Sequence, residues 1–379
     1  MNKYFKTIFS ISSNISIPLF NFLTLTVGIK FFGKENWGEL LNILLWVYFY
    51  AFLINWGHRD YLLRAISKNP AKLSDFFFNN FITRMVFLIP TTLLLFIFFP
   101  FETALLAIGL IFLMYVYSSF ESLIIYYQKF PLQLIAESLA FVMLCFGMYS
   151  IENFNVNILL VLFSLSFFTK VLCLSLFLKI PFYKIRMNVS IQELTLMFPF
   201  FLIVFSGWIH SKIDLYVVNS LLPSETLTKY QLLNTSFLML QAIAGFILMP
   251  MTKFMYRISK NTAKKMIYKL SLISIPIILA GTFSIWFLLN IILHLQVEYY
   301  MFIIGGLSTF PVYLYIINII NLYKKNGEMK VVRINFLGAL LNLSFSLCLT
   351  SYYGYVGTFV AVLLTQYFLL IVYKIKYAV

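Results

Sequence analysis

Seven ionisable side chains, Arg84, Glu121, Glu137, Lys170, His210, Lys212 and Asp214, stand inside long apolar runs of a 379-residue chain. Arg59 and Lys30 stand at the ends of two such runs. A charge held in hydrocarbon is costly, so each is a functional position by default, and the chemistry open to the set is to offer charge and hydrogen bonds to something polar that crosses the bilayer. Lys170 lies nearest the middle of its run, too deep for easy snorkelling, and is the leading anion-site candidate. The competing reading is an interhelical ion pair with Glu121 or Glu137. Arg84 follows Asn80 by one helical turn, with Asn79 and Thr83 beside them, which makes a polar stripe that should face protein or water. Arg59, next to Asp60 near the interface, reads either as a loop cation with a local partner or as a cavity-lining residue. His210 and Asp214 are four residues apart and share a helix face, whereas Lys212 points some 160° away. Either His210 and Asp214 form a proton- or cation-coupling pair, or Lys212 faces an anionic cargo; a break near Ser206 and Gly207 would let Lys212 and Asp214 act together.

The elements that must carry these residues follow from composition. Soluble domains average about 45–50% apolar and 25% charged residues, whereas this chain is 61% apolar and 11% charged, with a mean hydropathy of +0.91. That places it in lipid as an all-α polytopic membrane protein, with runs long enough to cross a hydrocarbon core about 30 Å thick. Breaking the runs at charge, Pro/Gly and Asn clusters predicts about twelve transmembrane helices, near 10–32, 40–57, 76–98, 103–127, 134–150, 157–179, 194–222, 231–252, 268–293, 299–322, 334–352 and 354–373. Pro18, Pro90, Pro199, Pro276 and Pro311 are expected to interrupt spans. The first run, Ser10 to Phe32, is too long for a signal-peptide core and reads as an uncleaved span. Cys145, Cys173 and Cys348 all fall inside spans as packing residues, not as metal ligands or a disulfide framework.

The net charge of +15 does not point to nucleic acid, because the cations lie in short loops. With the N-terminus inside, 22 of the 28 Lys and Arg residues fall on one face, with Lys30, Lys34 and Lys229 on the other. This positive-inside asymmetry predicts cytoplasmic termini and an even number of spans.

A repeat organises the spans. Glu39 to Asn42 reads ELLN, and Gln231 to Asn234, 192 residues on, reads QLLN. At the same offset Ile66 to Lys72, ISKNPAK, matches Ile258 to Lys264, ISKNTAK, in six of seven positions. The prediction is two pseudo-symmetric six-helix lobes, 1–190 and 191–379, an arrangement in which secondary transporters place the substrate path between lobes and rock around it.

The segment Val27-Gly28-Ile29-Lys30-Phe31-Phe32-Gly33-Lys34-Glu35-Asn36-Trp37-Gly38 resembles the junction after the first span of bacterial lipid-linked oligosaccharide flippases, which share a superfamily with MATE drug exporters. The similarity continues at Asn55-Trp56-Gly57-His58-Arg59-Asp60-Tyr61-Leu62-Leu63-Arg64, at Lys212-Ile213-Asp214 and at Pro250. It implies a MATE-like fold in the bacterial inner membrane that exports polyprenyl-pyrophosphate-linked glycan repeat units for O-antigen, capsule or other surface polysaccharide. Implied partners are the lipid-linked oligosaccharide, membrane lipid, and a polysaccharide polymerase with its chain-length machinery; no cofactor is implied. On this reading Lys170, Arg84, Arg59, Lys212 and Lys30 would meet the pyrophosphate or glycan, and Asp214, His210, Glu121 and Glu137 would couple an ion. The aromatic residues, 19% of the chain, can stack on sugars, although interface belts and lipid-facing Phe account for most of them. Rival readings are a MATE-type exporter of drugs or metabolites and a polyprenyl-sugar glycosyltransferase or ligase. The latter is disfavoured because every predicted outer loop is about a dozen residues or shorter, leaving no room for the acidic pair of such an enzyme.

Overall fold

Away from water the backbone must satisfy its own N–H and C=O groups, and a helix does so within one segment. The computed structural model describes residues 3–178, 189–248, 259–325 and 327–377, and among them the chain is helical with no β-strand. Ten helical runs among the described residues are long and apolar enough to cross a membrane. The chain divides into two compact units, Met1–Val204 and Phe205–Val379. This division lies inside a helix and later than residue 190, because the first half of that helix packs with the elements before it.

Unit 1 holds α1 (Lys3–Phe32), α2 (Lys34–Asn55), α3 (His58–Lys68), α4 (Leu73–Met85), α5 (Leu88–Phe98), α6 (Phe101–Tyr127), α7 (Phe130–Tyr149), α8 (Val156–Phe177) and the first part of α9 (Ile191–Leu221). The second predicted span is one helix that ends two residues early, and the third is not a single helix. α2 stops at Asn55, and Trp56 and Gly57 both take left-handed backbone, at φ 43° and 68°. The chain restarts as the short amphipathic α3, which buries His58, Leu62 and Ile66 and exposes Arg59, Arg64 and Lys68. The run 76–98 is shared between α4 and α5, with Pro90 in the first turn of α5, where its missing N–H removes no helical bond.

Unit 2 holds the rest of α9, α10 (Ser224–Leu248), α11 (Lys260–Trp286), α12 (Tyr299–Lys324) and α13 (Glu328–Tyr377). α13 is two arms. Gly354, at φ 59° and ψ −148°, reverses the chain, so that the Thr350 and Thr358 hydroxyls meet at 2.7 Å and a Cβ on Gly338 would lie 3.0 Å from Leu369. Pro18, Pro199, Pro276 and Pro311 lie within helices that continue through them, and α9 passes Ser206 and Gly207 unbroken. Of the cysteines, Cys145 and Cys173 are half-buried, while Cys348 is exposed on its helix and packs no core.

The repeated heptapeptide folds differently in its two places, and one residue explains why. At the second, Ile258 lies outside the described residues and Ser259 caps α11 by accepting from the Thr262 N–H. At the first, Pro70 stands where Thr262 does and has no N–H to give to Ser67. There α3 ends instead, and the chain passes through a 3₁₀ turn, Pro70–Lys72, before α4.

The segment 27–38 is a tight helical hairpin. Gly33, at φ 80°, joins α1 to α2, and Trp37, 1% exposed, lies flat against Gly28, where a Cβ would sit 2.1 Å from the indole. Gly28→Leu must therefore displace Trp37. It is expected to cost about 1–3 kcal/mol, as overpacked sites do, and to lower the thermal midpoint of the detergent-solubilised protein. Adding Trp37→Ala should recover part of the loss; a Gly28→Leu protein as stable as the parent would contradict this packing.

Candidate functional site

Beyond Glu102 and Thr103 in its first turn, helix α6 is apolar up to a run near its C-terminal end, Tyr115-Val116-Tyr117-Ser118-Ser119-Phe120-Glu121-Ser122. Helical spacing sends Tyr117 and Glu121 to one face, and Tyr115, Ser118, Ser119 and Ser122 to another. Each face organises a different set of charges in unit 1.

On the first face the Tyr117 hydroxyl donates to Glu137 of α7. The other carboxylate oxygen of Glu137 is 2.8 Å from the Lys170 ammonium on α8. Lys170 lies over the rings of Phe167, at 4.4 Å, and Tyr117, at 5.4 Å. Lys170 and Glu137 are 9% and 3% exposed, so neither charge has water to lean on. The structure thus pairs Lys170 with Glu137 and not with Glu121. Glu121 instead faces the Arg59 guanidinium at 3.9 Å, and Arg59 also reaches Asp60 at 3.6 Å. The Arg59 side chain is half exposed, and such pairs contribute little net stability.

On the second face sits Arg84 of α4, fully buried. Its Nε donates to Asn80 Oδ1 at 2.9 Å and its Nη2 to Ser119 Oγ at 2.8 Å, with a long contact of 3.5 Å from Nη1 to Asn55 Oδ1. The guanidinium lies 4.9 Å from the centre of the Tyr115 ring. These partners are neutral, and Arg84 forms no ion pair among the described residues; Glu193, at the start of α9, acts on it electrostatically. His58 closes the cluster: Nδ1 is 3.1 Å from the Asn55 carbonyl and Nε2 is 2.9 Å from the Ser118 carbonyl.

The break at Trp56 and Gly57 gives this cluster its shape. Asn55 ends α2 beside Arg84, and His58 begins α3 beside α6. The Trp56 indole N–H donates to the Leu194 carbonyl at 3.1 Å, and its ring stacks on Phe201 with centroids 4.2 Å apart. A Cβ on Gly57 would lie 2.4 Å from the Phe201 nitrogen, so only glycine fits there. The Ser190 N–H donates to Thr83 Oγ1 at 3.1 Å, and the Asn80 amide donates to the Met197 sulfur. The first half of α9 is thereby fixed to α2, α3 and α4.

In unit 2, Asp214 is 2% exposed. One carboxylate oxygen accepts from the Tyr230 hydroxyl and, at 2.9 Å, from the Asn234 amide, both on α10; the other oxygen is buried and has no hydrogen-bond partner among the described residues. His210 does not share that site. Its Nε2 lies 3.4 Å from the Gln366 amide, and a Cβ on Gly338 would contact its Nδ1 side at 3.3 Å. α9 runs unbroken past Lys212, and Lys212 and Asp214 act on each other electrostatically. Lys30 is exposed at the last turn of α1. Among the described residues no group of three or more His, Cys, Asp or Glu could hold a metal ion.

Sequence reasoning singled out the charges and, for Arg84, Asn80, but not their other neutral partners. Asn55, His58, Tyr115, Tyr117, Ser118, Ser119, Tyr230 and Asn234 carry most of the hydrogen bonds. The signal available for four of them was the density of hydroxyls along one stretch of α6.

No model of a known protein family matches the chain, and no curated protein matches it in sequence. Solved structures do. The lipid II flippase MurJ in an inward closed conformation aligns over 97% of this chain and 87% of its own, at 14% identity and a TM-score of 0.71. A multidrug-resistance MATE transporter of the MOP superfamily, inward-facing, aligns over 96% of both chains at 12% identity and a TM-score of 0.64. A MATE protein in complex with MaD3S aligns over 97% of this chain and 92% of its own, at 13% identity and a TM-score of 0.57. The chain therefore has the all-helical fold that the lipid II flippase MurJ and the MATE transporters of the MOP superfamily share.

Proposed function

We propose that this protein flips polyprenyl-pyrophosphate-linked oligosaccharide repeat units across the bacterial inner membrane for O-antigen, capsule or other surface polysaccharide. It does so by alternating access between two lobes of about six spans each, with both termini cytoplasmic and a polymerase with its chain-length machinery as downstream partners. The fold it shares with a lipid II flippase supports a lipid-linked cargo. The observation that carries the reading is Arg84. A fully buried guanidinium held by neutral oxygens keeps its positive charge and some of its five N–H donors, and a guanidinium fork matches the oxygens of a pyrophosphate. Arg59, Lys212 and Lys30 supply further positive charge in this scheme, and Lys170 supplies it when its pairing with Glu137 opens.

A second reading, a MATE-type cation-coupled exporter of drugs or metabolites, is favoured by Asp214. A buried carboxylate with one oxygen engaged by Tyr230 and Asn234 and the other without a hydrogen-bond partner among the described residues suits a proton or a small cation. In the first reading Asp214 serves as the coupling site, with His210, Glu121 and Glu137 as further candidates.

Two experiments separate these possibilities. In a strain with no second flippase, deleting the gene should abolish surface polysaccharide while lipid-linked repeat units accumulate on the cytoplasmic face; normal surface glycan with lost drug resistance would favour the exporter. The Lys170–Glu137 pair tests the site. Lys170→Met alone strands a buried carboxylate, a loss of about 3–5 kcal/mol, and should lower membrane abundance. Lys170→Met with Glu137→Leu should restore abundance. If Lys170 meets the cargo, glycan export stays low in the double variant; full export would make the pair purely structural.

A further inference from the structure

α11 does not end in a simple cap. It widens into a π-helical turn, Phe287–Ile292, and the chain then reaches α12 with two non-glycine residues, His294 and Gln296, in the left-handed region at φ 51° each. Such backbone persists only where its surroundings over-determine it. Here Asn290 does so, donating to the Val297 carbonyl at 2.9 Å and accepting from the Val297 N–H at 2.8 Å. Leu295 and Val297 are buried, so His294, Gln296 and Glu298 are the residues this loop exposes. The Glu298 carboxylate accepts from the Tyr355 hydroxyl, which joins the loop to the reversal at Gly354 in one surface.

That surface is unusually aromatic. Tyr352, Tyr299 and Tyr353 are 80%, 72% and 68% exposed, and Trp286 stacks on Tyr299 with centroids 6.3 Å apart. No Lys or Arg occurs in 286–300 or 349–357, so nothing there attracts an anionic lipid headgroup. A belt of interfacial rings needs neither a carboxylate among the rings nor a clamped backbone. Exposed ring faces beside an imidazole, an amide and a carboxylate match the two-sided chemistry of a sugar, whose C–H faces stack on rings while its hydroxyls bond to acceptors.

We propose that Tyr299, beside Glu298, and Tyr352 and Tyr353, on the segment that the Tyr355–Glu298 hydrogen bond ties to it, form a binding platform for a neutral oligosaccharide. The platform rests on the flippase reading for its outward orientation and for the source of the glycan, which it would receive after translocation. Its binding chemistry rests on the rings and Glu298 alone.

Saturation-transfer NMR on the full chain in phosphatidylcholine nanodiscs tests this, with maltopentaose and chitotetraose as soluble probes. Transfer to sugar ring protons is expected for at least one probe. Affinity should fall about three- to tenfold in Tyr299→Ala and in Tyr353→Ala, the range of a single aromatic contact. It should also fall in Glu298→Gln and survive in Tyr299→Phe, which keeps the ring and reports that the protein is folded. No transfer to either probe, or transfer unchanged by the three weakening substitutions, would overturn the platform. So would an effect of Tyr299→Ala confined to the lipid choline signals, which would make the rings a membrane belt. Loss of surface glycan on gene deletion with no sugar binding would defeat the platform and leave the flippase reading standing; sugar binding with normal surface glycan would do the reverse.

Discussion

A polar group that this chain carries into hydrocarbon is stable when its partner comes from the protein, since lipid supplies none and an unsatisfied group costs several kcal/mol. In unit 1 that requirement falls largely on α6. Its hydroxyls reach Glu137 on one side and Arg84 and Asn55 on the other, where the Ser118 carbonyl also meets His58. Four neighbouring helices are thereby held in fixed register by hydrogen bonds that have no competitor. The break at Trp56 and Gly57 belongs to the same scheme, because it delivers Asn55 and His58 to the cluster from two different helices. It also lets α9 approach closely enough for backbone to touch backbone at Gly57.

The broad architecture was legible in the sequence because hydrocarbon enforces it. Long apolar runs had to be helices, and most span limits fall within a few residues of the helix ends observed. What escaped was set by contacts between segments distant in sequence. The end of α2 was readable from Asn55 and Gly57 to within two residues, but its support was not: the left-handed pair at 56–57 is stabilised by Leu194 and Phe201, over a hundred residues away. The unbroken α9 is a similar case, since Pro199, Ser206 and Gly207 permit a bend without requiring one.

At the candidate site, charge was readable and pairing was not. Lys170 could reach carboxylates on two helices, and only packing decides for Glu137. Arg84 and its Asn80 stripe were visible as helical neighbours, whereas Ser119 and the Tyr115 ring, from another helix, were not. The repeat shows the opposite case, in which one residue suffices. Replacing Thr262 by its counterpart, Pro70, removes the single N–H that a serine cap requires, and the same surrounding sequence becomes a turn instead of a helix start.

The Lys170–Glu137 pair also bears on how the chain enters the membrane. A lone lysine or carboxylate at the centre of an inserting helix carries a penalty of about 2.5–3.5 kcal/mol on the scale of translocon-mediated insertion. α7 presents its carboxylate first, and only the short segment 150–155 separates it from α8. If the two helices leave the translocon as a hairpin, the charges neutralise each other before either meets lipid. The ion pair then acts during biosynthesis as a pairing signal between consecutive helices, and the order of residues along the chain becomes part of the mechanism of insertion.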